Sequence, residues 1–266
     1  MADPSLMFVR KPLSLKHLSE VFGGGPPSRA AFMQQLMIWD YAVERHEFIT
    51  AIETAHWTAV TSGGTDFAYN AQRGGALRGA TGATGNNTVA LHKAQTYLDA
   101  ADNPVFMGRL VMPSSLATTR IEIGMSDPKT TETAQSVTDI DTPALANGVT
   151  DGAYIAMDTG QTLTTMALVA AGTSSADAKT NITDTNGTAH TPTASGIWEF
   201  VIGCREGQAM CMIWNNGAFI AHTVVNSGPD AGVLMRPSIY VETLAASSRV
   251  LDIDWLVIAH ERNRTS

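Results

Sequence analysis

From Thr58 onward, apolar and polar positions alternate in short runs broken by Gly, Pro, Asn and Asp, and no helix-length repeat interrupts them. The clearest stretch is Trp198 to His222. Ile197 to Cys204 is apolar, Arg205-Glu206-Gly207-Gln208 reads as a turn, Ala209 to Trp214 is apolar again, and Asn215-Asn216-Gly217 leads into Ala218 to Val225. Asn-Gly between apolar runs signals a hairpin, because a type I′ turn needs φ > 0 at both central residues. Three strands and two turns make a meander, which needs further strands or a second layer to be stable in water. It is expected at the centre of one sheet, as core scaffold, with Val105 to Met125 and Leu251 to Ala259 supplying its neighbours and the facing layer.

The same pattern predicts strands at Thr58–Thr61, Asp66–Gln72, Gly75–Thr81, Thr88–Lys93, Val105–Met112 and Thr119–Met125. Further strands are expected at Tyr154–Asp158, Thr164–Ala171, Lys179–Asp184, Val233–Thr243 and Arg249–Ala259. In Thr119–Met125, Ile121, Ile123 and Met125 alternate with Glu122 and Gly124, which implies one buried face and one wet face. Asp127 to Val149, rich in Thr, Asp and Ala, reads as a long surface loop. About a dozen short strands with frequent turns is the signature of an all-β protein, here an antiparallel two-sheet jelly-roll sandwich.

The N-terminal part differs. Residues 1–27 form an arm whose apolar Phe8, Leu13, Leu15, Leu18 and Phe22 are set among Arg10, Lys11 and Lys16, closed by the linker Gly23-Gly24-Gly25-Pro26-Pro27. So apolar an arm is expected to lie on a neighbouring subunit or on the domain's own flank. Residues 28–46 read as a short helix and connector: Ser28 is a candidate N-cap, and Phe32, Leu36 and Trp39 recur near one helical turn. The sandwich domain is expected over 47–266, with strand after Glu47. Trp39 and Tyr41, at the junction of arm and sandwich, are candidate interface aromatics.

Of the 266 residues, 16% are charged, against about 25% in a typical domain. The net charge of -8 is spread along the chain. That argues against a nucleic-acid surface, which needs clustered Lys and Arg. Neither a secretory h-region nor an apolar run of membrane-spanning length is present. The two cysteines, Cys204 and Cys211, lie on facing meander strands and read as buried thiols whose pairing is open.

No cofactor or metal site emerges. Asp252/Asp254 and Asp139/Asp141 have the i, i+2 spacing that puts two carboxylates on one strand face, but the first pair belongs to a strand with Ile253 and Trp255 inward and the acids outward or hydrogen-bonded at a rim. The seven histidines form no zinc pattern. Glycoside hydrolysis needs two carboxylates across a cleft, whereas Glu122 and Glu199 each stand alone on their strands. Trp57, Trp198, Trp214 and Trp255 are expected in the core.

The order of several segments resembles a jelly-roll group of tailed-bacteriophage structural proteins, whose fold is similar to concanavalin A-like lectins. The segments are Trp57 and its Gly-rich turn, Gly74-Gly75-Ala76-Leu77, Val105 to Leu110, Ile121 to Met125, Asp151 to Ile155, the meander, and Leu251 to Ile258. The resemblance covers about Phe48 to Glu261 and implies a non-enzymatic virion component. The expected role is a capsid decoration or cement protein. It would be a homo-oligomer, a trimer by expectation, on the capsid surface, with no nucleic-acid or membrane partner. Its arm residues Phe8, Arg10, Lys11, Leu13, Leu15, Lys16, Leu18 and Phe22 would meet the major capsid protein. The alternative is a tail or head fibre domain binding host carbohydrate, which predicts an exposed aromatic platform with Asp or Asn converging on loop tips.

Overall fold

A computed structural model describes residues 41–48, 52, 54–71, 75–140, 142–160, 165–184 and 186–261. The arm, the linker and the expected helix lie outside the described residues. In chain order the strands are β1 (Tyr41–Glu47), β2 (Trp57–Ser62), β3 (Thr65–Asn70), β4 (Ala76–Ala80), β5 (Asn87–Lys93), β6 (Leu98–Asp99), β7 (Val105–Val111), β8 (Thr119–Ser126) and β9 (Val137–Asp139). They continue with β10 (Ala144–Leu145), β11 (Gly152–Asp158), β12 (Ala167–Gly172), β13 (Ser175–Asn181), β14 (Ile197–Arg205), β15 (Gln208–Asn215), β16 (Ala218–Val225), β17 (Leu234–Thr243) and β18 (Val250–Glu261).

All of these strands except β9 and β10, which pair with each other, form two antiparallel sheets face to face. Sheet A runs β16-β15-β14-β7-β18-β4-β3, with β1 also on β18; sheet B runs β13-β12-β11-β8-β17-β5-β2, with β6 also on β17. The alternate positions that face between the sheets fill one apolar core, including Phe106, Phe200, Ile121, Ile123 and Leu256. The rings of Phe106 and Phe200 meet edge to face at 5.1 Å. Burying each such side chain stabilises the fold by roughly 1.5–3 kcal/mol, so this layer is what holds the sandwich together.

The meander is present as β14-β15-β16, and its second turn has Asn216 at φ 50 and Gly217 at φ 81, as a type I′ hairpin requires. It does not sit at the centre of its sheet: β16 is an edge, and β14 joins the rest through β7. Cys204 stands opposite Ala209 and Cys211 opposite Ile202, so the two are diagonal on the core face. Both are free, and burial pushes each thiol up to about 12.

Four expectations need correction. The first described strand lies where a connector was expected: Tyr41–Glu47 pairs along its whole length with β18, from Tyr41 opposite Glu261 to Glu47 opposite Trp255, while residues 49–51 and 53 lie outside the described residues. In β18 a register shift between Ile253 and Trp255 turns Trp255 away from the core, leaving Ile253 and Leu256 inside. Strand β13 starts at Ser175, because the Thr173-Ser174 turn returns the chain immediately after β12. Both faces of β8 are buried, not one, because the segment after it is no free loop. That segment carries the small β9–β10 hairpin and lays Val137 and Ile140 against Tyr154 and Val169 on the outer face of sheet B.

Candidate functional site

Alternation on β5, β8, β11 and β17 sends polar side chains to the outer face of sheet B. Register then sets Arg120 beside Asp158 and Glu242, and Glu122 beside Tyr240. Arg120 donates from Nε to Asp158 Oδ2 at 2.8 Å and from Nη1 to Glu242 Oε2 at 3.3 Å, and the Tyr240 hydroxyl donates to the same Glu242 oxygen at 3.2 Å. Burial raises the Glu242 carboxyl above its ordinary range against the pull of Arg120. Glu122, fully enclosed, accepts from Ser136 N at 2.6 Å and Val137 N at 3.1 Å. Burial also raises Glu122, opposed by Lys129 and by those two N–H groups. The carboxylate that stood alone in the sequence is therefore a fastener for the overlying hairpin, and it is buried.

Toward the open end of this face lies a small polar cleft lined by Ala90, His92, Ser126, Lys129, Glu132, Arg236 and Ser238. Its free volume is about 10 Å³, roughly the space of one water molecule. Arg236 Nη1 lies 3.0 Å from His92 Nδ1, its Nη2 donates to Glu132 Oε1, and His92 Nε2 faces Glu132 Oε2 at 3.4 Å. Burial and the Arg236 charge lower the His92 pKa. His92 Nδ1 also lies 3.2 Å from Lys93 O. Lys129 donates to Ala134 O at 2.9 Å, and its Nζ lies 4.9 Å from the Tyr240 ring centre. The result is a rigid set of donors and acceptors around a water-sized space.

Loop aspartates converge beside the cleft. Asp127 accepts from Thr150 N and Asp151 N at 3.1 Å each; Asp151 accepts from Asp230 N at 2.7 Å and Thr173 Oγ1 at 2.8 Å; Asp230 accepts from Ser174 N at 2.8 Å. Their oxygens are spent on the backbone of neighbouring loops, which they knit together. Among the described residues no three His, Cys, Asp or Glu side chains are grouped to hold a metal ion.

The aromatic platform expected of a sugar-binding fibre domain is absent among the described residues, where Tyr69 is the sole large aromatic side chain that is exposed. Trp57 and Trp198 are in the core, as expected, but Trp214 and Trp255 lie on the outer face of sheet A with Met107, Val201, Met212 and Val257. One row across four strands reads Trp214, Glu199, Arg109, Trp255. In it, Arg109 Nη1 is 3.1 Å from Asp254 Oδ2. Tyr41 joins this cluster at 5% exposure, and its hydroxyl donates to Glu261 at 3.4 Å. Burial and the Glu261 charge push its phenol well above the usual value. Phe8, Arg10, Lys11, Leu13, Leu15, Lys16, Leu18, Phe22 and Trp39 lie outside the described residues.

A further polar knot was not legible in the sequence. Glu44 on β1 receives Lys93 Nζ and the Tyr97 hydroxyl, the latter at 2.8 Å, and lies 2.8 Å from His46 Nε2. It bridges sheet A to β5 of sheet B. No local motif announces it, because Lys93 is 49 residues away.

Comparison with known proteins gives fold and no family. No family profile matches the chain, and no curated protein does. Among solved structures, a protein of unknown function from Shewanella oneidensis MR-1 matches at TM-score 0.56 with 9% identity, covering 91% of this chain and 98% of that one. Peanut lectin, solved with a 9mer peptide, matches at 0.57 with 7% identity, covering 83% and 97%. The exoplasmic/lumenal domain of VIP36 in its Ca²⁺/Man3GlcNAc-bound form matches at 0.51 with 9% identity, covering 79% and 85%. The fold is a lectin-like jelly-roll sandwich. At these identities the likeness concerns fold alone.

Proposed function

We propose that this chain is a non-enzymatic recognition module that binds carbohydrate, presented on a bacteriophage particle as part of a tail or head fibre. The observation that carries the reading is the locked cleft formed by Arg236, His92, Glu132, Ser126 and Ser238 on the outer face of sheet B. A sugar hydroxyl is the size of the water this space admits, and side chains already fixed by one another pay little to order on binding. The ring itself would rest outside the cleft. The lectin-like fold and the sugar-bound VIP36 domain point the same way, and the phage setting rests on the strand-order resemblance. The carboxylates of this face are engaged by Arg120 and by backbone N–H groups, an arrangement suited to structure more than to hydrolysis.

A panel of neutral and acidic oligosaccharides titrated calorimetrically against the full chain tests this. At least one should bind, and Arg236→Ala should weaken it about tenfold or more while the protein stays folded. Absence of binding across the panel, or binding indifferent to Arg236→Ala, would overturn the reading; release of reducing ends would make the chain a hydrolase instead.

Capsid decoration is a second reading, favoured by the apolar outer band of sheet A, to which Tyr41 belongs. Deleting Met1 to Gly25 separates the two: a decoration protein loses capsid binding, while a glycan reader keeps its ligand.

A further inference from the structure

The polar cleft on the outer face of sheet B already holds a carboxylate of this chain. Glu132 Oε1 accepts from Arg236 Nη2, and Glu132 Oε2 stands 3.4 Å from His92 Nε2, so the two oxygens of one planar group span two partners. The side chains of Arg236 and His92 are 11% and 7% exposed, whereas that of Glu132 is 33% exposed. Arg236 is fixed a second time by His92 Nδ1, 3.0 Å from its Nη1. His92 Nε2 is enclosed and, beyond the long approach to Glu132, has no hydrogen-bond partner among the described residues. A buried polar atom in that position calls for a partner.

Glu132 stands at the corner of a tight turn closed by Ala134 N, which donates to Thr131 O at 3.1 Å. That turn is pinned without the help of its carboxylate: Thr88 Oγ1 donates to Thr133 O at 3.1 Å, and Lys129 Nζ donates to Ala134 O at 2.9 Å. Rotation about the Glu132 side-chain bonds can therefore carry the carboxylate to solvent while the backbone stays in place. With it turned away, Arg236 and Lys129 face the cleft with no carboxylate left in its lining. Glu122, which also faces Lys129, is spent on the N–H groups of Ser136 and Val137.

We propose that Glu132 is a built-in stand-in for the carboxylate of an acidic sugar, and that the cleft takes a uronic-acid residue of an oligosaccharide by exchanging one carboxylate for the other. This rests on the carbohydrate reading above and names its ligand class. The size of the space forces the exchange. About 10 Å³ admits one water or hydroxyl, so a carboxylate can enter only where that of Glu132 now sits. Once there, one oxygen accepts from Arg236 and the other meets His92 Nε2, an arrangement suited to a planar two-oxygen group. Glu132 is then an internal competitor, and apparent affinity for an acidic ligand is reduced to the fraction of molecules in which it has swung out. A neutral sugar needs no exchange, because its hydroxyl fits beside Glu132.

Calorimetric titration of the full chain with an oligoglucuronate and with its carboxyl-reduced, neutral counterpart tests the exchange. Glu132→Ala should bind the acidic oligosaccharide about tenfold more tightly than the parent chain does and the neutral one no more tightly, and adding Arg236→Ala should abolish the gain. Acidic binding that is unchanged or weakened in Glu132→Ala would overturn the proposal. So would an equal gain for a sulfated oligosaccharide, which would make the cleft a general anion seat. Should Glu132→Ala lose its melting transition, Glu132→Gln is the deciding variant: it removes the charge at constant size and should shift acidic binding in the same direction, and an unaltered affinity rejects the exchange. Failure of the underlying reading has a different signature. Neutral binding that depends on Arg236, with no gain for the acidic ligand in Glu132→Ala, keeps the carbohydrate reading and removes the exchange; no binding of either oligosaccharide by any of these proteins removes both.

Discussion

Glu122 and Glu44 are both held by hydrogen bonds, yet their protons respond to the fold in opposite directions. Glu122 is enclosed, and burial lifts it above the ordinary glutamate value of 4.5 despite Lys129 and two backbone donors. Glu44 sits lower than that value: burial would raise it, but hydrogen bonds from Lys93 and Tyr97 together with the Lys93 charge prevail. A raised carboxyl contributes stability that is complete below the unfolded value and is lost as pH climbs through the folded one. A depressed carboxyl contributes stability that is present above the unfolded value and is lost as pH falls through the folded one. Thermal unfolding across pH 3 to 8 should therefore separate the two variants. Glu122→Gln should flatten the decline in stability above about pH 4.5, with Glu242, also raised, retaining part of it. Glu44→Gln should lower stability near neutral pH by about 1–3 kcal/mol, since it strips buried Lys93 of its carboxylate, and the difference should shrink toward pH 3. If the two variants give parallel pH profiles, these assignments are wrong.

At the scale of elements, the hairpin between β15 and β16 depends on backbone conformation with no steric component. Gly217 is left-handed, at φ +81, and an added Cβ would meet nothing within 4 Å. Gly217→Val should therefore cost only the strain of that conformation, about 1–2 kcal/mol, and lower the melting temperature by roughly 2–6 °C. Loss of folding altogether would mean the turn is needed to nucleate the meander. This hairpin was readable because all its information is local: two turn residues and apolar flanks. The strands of both sheets were readable for the same reason. Strand β1 was not, since Tyr41-Ala42-Val43-Glu44-Arg45-His46-Glu47 carries two inward polar residues, Glu44 and His46, which a pattern of alternating hydrophobicity rejects. They are tolerated because Lys93 and Tyr97 meet them from far along the chain. Trp255 is buried as expected but on the outer face of sheet A, because a one-residue register shift inverts every facing after it. The cleft was invisible for a related reason: Arg236, His92 and Glu132 come from three segments that only strand pairing unites, and Glu122 owes its role to a hairpin whose apolar Val137 and Ile140 are too few to mark a packed layer.

In the whole molecule the first described strand closes onto the last, with Tyr41 opposite Glu261 across 220 positions. Such non-local pairing makes folding slow and leaves edges as the places where the native state opens first. Central β7 and β8 are each paired on both sides and buried, whereas β3 and β13 are edges with mostly exposed or half-exposed residues. Among the described residues β1 also pairs on one side only, with β18, but it differs from β3 in having a polar bolt to the opposite sheet through Glu44 and Lys93. Native-state hydrogen exchange should therefore fall into three groups. Amides of β7 and β8 should exchange only through global unfolding, those of β3 and β13 through local opening, and those of β1 between the two. Glu44→Gln should move β1 to the fast group while leaving β3 and β13 unchanged, because the bolt touches neither. Equal exchange in β1 and β3 before the substitution would show that the Glu44–Lys93 link adds nothing to edge stability, and β1 would then be held by its pairing with β18 alone.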